Sequence, residues 1–208
     1  MTRKKEITYW ACDFETTVWT EELVEQVGHE QDCTEVWAGA DVALYDVTEH
    51  VTITHSIRDF LTRFLRMPGN NVLFFHNLSF DGSFIVDFLL REGYTHTRVK
   101  DSEMRSRQFK TSISAMGQWY YIKIKWSHTL LEIRNSLKIM PSSLRAIGES
   151  FKTKHQKLEM EYTGNRQAYC DITPEEEEYI KNDVLVLKEA LEMMFNEGHD
   201  KLTIGSCF

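Results

Sequence analysis

The sequence predicts an α/β fold, on three observations. Residues 71–75 (NVLFF) form a short run, apolar from Val72 onward, as expected of a strand covered on both faces. Stretches with apolar residues at helical spacing lie on both sides of it. A further amphipathic stretch near the end of the chain opens with a complete helix-start signature.

Taken in order, residues 6–14 (EITYWACDF) read as a buried strand. Residues 35–47 alternate well enough for a second, and 50–54 for a short third, giving a meander at the front of a sheet. Between the first two lies a polar, acidic insertion loop, 17–34. In 56–66, Ile57, Phe60, Leu61, Phe64 and Leu65 recur at helical spacing, with Pro68 and Gly69 just after. After the apolar run, 80–91 places Phe80, Phe84 and Phe88 on one helical stripe with Ile85 and Leu89 beside it, and Gly93 ends it. The segment 107–133 is β-rich (107–115, 118–126, 128–133), with Gly117 as a hairpin turn, and reads as a β ribbon or as extra strands. A helix near 142–151 and a polar loop over 152–170 follow. The last helix is the best marked. Thr173 suits the N-cap, Pro174 the first helical position, and Glu176 completes a capping box. Glu175 to Glu178 face the positive end of the helix dipole, and Ile180, Val184, Leu187, Leu191 and Met194 form the apolar stripe.

Composition narrows the function classes. At about 150 residues per domain, 208 residues make one domain, 1–208. With 42% hydrophobic and 27% charged residues, global disorder is excluded. No run of about 20 apolar residues exists to span a membrane. The basic start MTRKKEITYW lacks the apolar core of a secretory signal. Cys12, Cys33, Cys170 and Cys207 show no C-x-x-C spacing, so neither a zinc site nor a disulfide framework is indicated, and a reducing, cytoplasmic compartment is expected. The net charge of -8 argues against a protein that grips nucleic acid by a basic footprint. It leaves open an enzyme that holds its substrate through divalent cations: two of them would bring -8 to -4.

Three motifs carry chemistry. Asp13-Phe14-Glu15 closes the first strand, where alternation puts both carboxylates on one face. His76-Asn77-Leu78-Ser79-Phe80-Asp81 leaves the central strand and opens a helix. Tyr179 and Asp183, four apart, share the inward side of the last helix. Each alone is commonplace: a carboxylate at a helix start is more often a cap than a ligand, and a histidine at a strand end is often structural. Their order and spacing together change the odds. Converging carboxylates are untenable without cations and suit Mg²⁺ or Mn²⁺. Two such ions form a clamp for in-line attack on a phosphodiester, with a tyrosine hydroxyl to orient the water.

These motifs resemble Exo I, Exo II and Exo III of the DEDD 3′–5′ exonucleases, in the DEDDy form given by Tyr179-x-x-x-Asp183. More narrowly, the chain resembles the N-terminal exonuclease domain of protein-primed family B DNA polymerases of phi29-like phages. Further resembling runs are Met116-Gly117-Gln118-Trp119-Tyr120, Asn135-Ser136-Leu137-Lys138 and Ile172-Thr173-Pro174-Glu175-Glu176. The resemblance implies a ribonuclease H-like fold, a mixed central sheet flanked by helices with an extra β hairpin in the middle. It implies Asp13, Glu15, Asp81 and Asp183 as ligands of two divalent metal ions, Mg²⁺ or Mn²⁺, and Tyr179 as the water-orienting group. It places Thr16, His76, Asn77, Phe80, Ser136 and Leu137 on a single-stranded 3′ end, with Phe84 supporting that pocket. Lys157 sits where the family has a lysine that assists catalysis.

The chain ends where that family passes from exonuclease to polymerase, and the polymerase motifs are absent. The expectation is a metal-dependent 3′–5′ exodeoxyribonuclease acting on single-stranded DNA in the host cytoplasm, either stand-alone or excised from a polymerase. Two alternatives stand beside it. One is an exonuclease fold that binds a phage replication or host defence protein. The other is the same chemistry on RNA or small nucleotides, since DNA and RNA are told apart by the surroundings of the 2′-OH.

Overall fold

The computed structural model describes residues 6–18, 34–161 and 166–206. The apolar run becomes strand β4 (Asn70–Phe75), near the middle of one mixed sheet. Its residues alternate between two cores. Val72 and Phe74 face one, and Leu73 and Phe75 the other, so neither face tolerates polar residues.

Around it the chain supplies β1 (Ile7–Thr16), β2 (Val36–Ala43), β3 (Thr52–Thr54), β5 (Thr95–His96), β6 (Gln108–Ile113), β7 (Trp119–Trp126) and β8 (Thr129–Asn135). The order across the sheet is β3-β2-β1-β4-β8-β7-β6-β5. β1, β4 and β8 run parallel, the meander β1-β2-β3 is antiparallel as expected, and β6-β7-β8 is antiparallel. The β-rich middle segment thus prolongs the main sheet as extra strands and is not a detached ribbon. Its turn is made by Gly117, which takes a left-handed φ of 73°.

Among the described residues four α-helices cover the sheet: α1 (Ile57–Arg66), α2 (Leu78–Arg91), α3 (Leu144–Phe151) and α4 (Pro174–Asn196). Phe60, Phe64, Ile85 and Leu89 of α1 and α2 pack against Cys12, Phe14, Leu73, Phe75, Ile122 and Ile133. Ile147 of α3 and Ile180, Val184, Leu187 and Leu191 of α4 pack against Ala11, Ala40, Val42 and Phe74 on the opposite face. The α4 capping box is complete: Thr173 Oγ1 accepts the Glu176 N–H at 3.2 Å, and Glu176 Oε2 accepts the Thr173 N–H at 2.8 Å. α2 lies close on the sheet because residue 82 is glycine, where a Cβ would come within 2.8 Å of the Trp119 ring.

Two boundaries differ from the sequence reading. The strand expected over 35–47 stops at Ala43, because Tyr45 adopts a left-handed φ of 64° and turns the chain. The segment 94–106, for which the sequence reading assigns no element, contributes β5 and a 3₁₀ turn (Asp101–Glu103). These elements are too short to show a periodicity. Most of the acidic loop expected at 17–34, residues 19–33, lies outside the described residues. Among the described residues no helix is long and apolar enough to cross a membrane.

Candidate active site

β1 outruns its parallel neighbour. Its pairing with β4 ends at Cys12 and Phe75, while Asp13, Glu15 and Thr16 continue against β2. The carboxyl ends of parallel strands are where α/β sheets bind ligands. Phe14 points into the α1/α2 core, 4.9 Å from both Phe60 and Phe75. Asp13 and Glu15 therefore point to the α4 side. Their cross-strand partners are Ala40 and Ala38, whose small side chains leave room beside them.

Asp183 arrives on α4. One carboxylate oxygen each of Asp13, Glu15 and Asp183 lies within 4.8 Å of the others. Asp183 is buried; its Oδ2 meets the Lys157 ammonium, and its Oδ1 has no hydrogen-bond partner. Lys157 Nζ also contacts the Tyr179 hydroxyl at 3.0 Å and lies 4.9 Å from the centre of its ring. Asp81, buried in the first turn of α2, lies outside that close triad but is electrostatically coupled to Asp13 and to the backbone N–H of Phe14.

The charges disfavour one another. Burial, then Asp183, pushes Asp13 up to about 7. Burial, then Asp13 and Asp183, pushes Glu15 up to about 9. Asp81 is raised by burial and by Asp13, and Asp183 by burial despite Lys157. A site that raises every carboxylate it contains and leaves one buried oxygen without a donor is compatible with a divalent cation.

A second group surrounds the turn after β4. Asn77 holds a left-handed φ of 65° at the α2 N-cap and is exposed. Phe80 is half exposed and packs edge-on against half-buried Phe84 at 5.4 Å. Leu137 is half-buried in the 3₁₀ turn Ser136–Lys138, and Thr16 is half-buried at the end of β1. Ser136 and His76 lie together at this turn. Ser136 is fully buried, with Oγ 3.0 Å from His76 Nδ1 and 3.1 Å from the Phe75 carbonyl. His76 Nε2 reaches the Ser142 carbonyl at 2.8 Å. A carbonyl only accepts, so Nε2 carries the proton. Burial holds the ring's pKa down, and the single Ser136 hydroxyl proton is directed to the Phe75 carbonyl.

Sequence reasoning did not single out Asn135. This buried side chain accepts the N–H groups of Leu78 at 3.3 Å and Leu137 at 3.1 Å, and donates to the Trp119 carbonyl at 2.9 Å. It thereby fixes the helix start that carries Asp81 and the turn that carries Leu137. No local pattern marks it, because β8 reads TLLEIRN and already mixes polar with apolar residues. Thr17 was also passed over: its hydroxyl donates to the Arg166 carbonyl at 2.6 Å and ties the end of β1 to the approach to α4.

A profile of the family described as "DNA polymerase type B, organellar and viral" matches residues 62–170. The DNA polymerases of Bacillus phages phi29 and PZA are 36% and 35% identical to this chain over 204 residues, which is 95% of this chain and 32% of each polymerase. Phi29 DNA polymerase solved in complex with single-stranded DNA aligns with a TM-score of 0.80 at 34% identity, over 96% of this chain and 33% of that one. The chain spans about a third of the length of the relatives it matches.

Proposed function

Because the chain belongs to the organellar and viral type B DNA polymerase family, we propose that residues 1–208 act as a DEDDy-type 3′–5′ exonuclease domain. It would release nucleoside 5′-monophosphates from single-stranded DNA in the cytoplasm of a phage-infected host. The observation that carries this reading is the Asp13–Glu15–Asp183 cluster, half-buried at Asp13 and buried at the other two, with its donorless oxygen, beside Tyr179.

Asp13, Glu15, Asp81 and Asp183 would hold two divalent ions, Mg²⁺ or Mn²⁺. When bound, these supply a water of lowered pKa and charge stabilisation at the leaving oxygen. The Tyr179 hydroxyl orients the attacking water. Lys157, already on Asp183 and Tyr179, offers a positive charge to the phosphate as negative charge develops. Phe80 stacks on a terminal base with Phe84 behind it, and Leu137 wedges from the opposite turn. Asn77 and Thr16 hydrogen-bond sugar or phosphate. Ser136 acts at one remove, by holding His76.

The direct test is digestion of a 5′-labelled single-stranded oligonucleotide with Mg²⁺, Mn²⁺ or EDTA. A metal-dependent ladder shrinking from the 3′ end is expected. No cleavage of DNA or of matched RNA with either metal sinks the reading. Phe80→Ala weakens single-strand binding by about 1–3 kcal/mol, roughly 5- to 150-fold. Fluorescence anisotropy in an Asp13→Ala background, where substrate survives, measures it; unchanged affinity removes Phe80 from the strand.

The raised carboxylates also fix a sign. Asp13 and Glu15 have folded pKa values of about 7 and about 9, above the ordinary value of about 4. Their contribution to stability is intact below about pH 4 and is lost as pH rises through 7 and then 9. The metal-free chain therefore loses Tm between about pH 6 and pH 9, and Mg²⁺ or Mn²⁺ restores more of it at the alkaline end. Thermal unfolding with and without metal checks this, and a metal-independent slope counts against ion binding there.

A further inference from the structure

Lys157 stands on a stretch, 152–161, that forms no helix or strand. A long side chain on such a segment does not hold its place by itself, yet its ammonium meets both Asp183 and Tyr179. We propose that Glu189 is a positioning residue that sets Lys157 over Asp183 by gripping the backbone of residues 154 and 155. The inference rests on the nuclease reading of Lys157 and goes beyond it.

Glu189 lies on α4 six positions beyond Asp183, about 9 Å along the same rigid helix. Its side chain is 12% exposed. Its Oε2 accepts the Lys154 N–H at 2.6 Å and the His155 N–H at 3.4 Å. Its Oε1 meets His155 Nδ1 at 2.5 Å. One ionised acceptor thus takes two successive backbone donors and a ring nitrogen, the stronger, charge-assisted kind of hydrogen bond. Behind the turn, the buried Thr153 donates its hydroxyl to the His155 carbonyl at 2.6 Å, and Gln156 Nε2 donates to the Thr153 carbonyl at 2.7 Å. α3 closes the back through Gly148, where a Cβ would come within 3.2 Å of Gln156 and 3.3 Å of Thr153. One helix therefore carries both the carboxylate that Lys157 touches and the carboxylate that holds the chain presenting it. Their spacing cannot drift with the loop.

Glu49, His155 and Glu189 also offer ligand atoms within 4.8 Å of one another. They are already satisfied without an ion: Glu49 takes the Lys154 ammonium at 2.8 Å, and Glu189 takes the two backbone N–H groups. Within this group only Glu189 holds the backbone of residues 154 and 155.

The test is the steady-state kinetics of single-strand digestion by Glu189→Ala, Glu189→Gln, Lys157→Ala and the Glu189→Ala/Lys157→Ala pair. Glu189→Ala is expected to lower kcat about tenfold with KM within about twofold, as for a group acting in the transition state alone. Added to Lys157→Ala it costs nothing more, because the residue it positions is gone. Glu189→Gln keeps an acceptor for the Lys154 N–H and recovers most of kcat. Glu49→Gln, which leaves the backbone contacts in place, keeps wild-type kcat. Multiplying losses in the pair, a wild-type kcat in folded Glu189→Ala, or an equal loss in Glu49→Gln would each overturn the proposal. Amide hydrogen exchange gives a readout independent of activity. The Lys154 and His155 amides are protected in the wild type and in Glu189→Gln, and lose protection in Glu189→Ala. Fast exchange at both in the wild type overturns the proposal even if the alanine variant folds poorly. An inactive wild type with that protection pattern intact counts against the nuclease reading and for the fastening.

Discussion

Asp13→Ala and Asp183→Ala each lower the rate of 3′-terminal release by about 10³-fold or more, the scale on which loss of one preorganised electrostatic contact to the reacting centre is felt. Both residues belong to the triad whose oxygens lie within 4.8 Å of one another, so either change removes a shared donor. Asp13→Ala also gains stability in the absence of metal, because it deletes a carboxylate whose pKa burial and Asp183 have raised and so relieves a repulsion that the unfolded chain does not feel. Asp183→Ala does not share this gain, since it strands the Lys157 ammonium that Asp183 holds. For Asp13→Ala, a loss of nuclease with a Tm equal to or above wild type in EDTA is the expected signature. A loss of activity with a fall in Tm would point to a broken fold, and retained activity would falsify the assignment of the cluster.

Arg63→Ala destabilises the fold by about 3–5 kcal/mol, the cost of stranding a buried charge. Its partner Asp41 on β2 is fully buried, and Arg63 Nη1 donates to its Oδ2 at 2.6 Å while Oδ1 has no hydrogen-bond partner. The guanidinium also sits 5.3 Å from the Trp10 ring and 4.9 Å from the Phe64 ring, so the truncation loses packing as well. Burial raises Asp41 to about 6 even with Arg63 and His50 pulling it down. The deficit of the variant therefore narrows as pH falls below about 6, where Asp41 is protonated in both proteins. Urea unfolding at about pH 8 and about pH 4.5 checks both statements. The double change Arg63→Leu/Asp41→Leu recovers most of the loss, since an apolar pair has no charge to desolvate.

What the sequence made legible follows the range of the interaction. Helix α4 was readable because its capping box closes over three residues, Thr173 to Glu176. β4 was readable because burial on both faces forces four consecutive apolar residues, Val72 to Phe75, which follow the buried Asn71. Asp13 and Glu15 share a face by strand alternation, and Asp183 turns inward by helix register, so their convergence could be anticipated from local geometry. Lys157 had no local signature and came from resemblance alone. Asn135 and Glu189 act on backbone groups 57 and 34–35 residues away, and nothing in their own neighbourhoods marks them. The order of strands across the sheet was equally out of reach. It depends on pairings such as β4 with β8, which sequence periodicity does not encode.

The acidic cluster is drawn from the first strand, the second helix and the last, so Asp13 and Asp183 stand 170 positions apart. During translation at about 5–20 residues per second, the cell makes Asp183 roughly 10–30 s after Asp13. Until that helix leaves the ribosome and docks, the nascent polypeptide cannot gather the three carboxylates of Asp13, Glu15 and Asp183. The order of synthesis makes assembly of the cluster a late event, after every described strand of the sheet has been made.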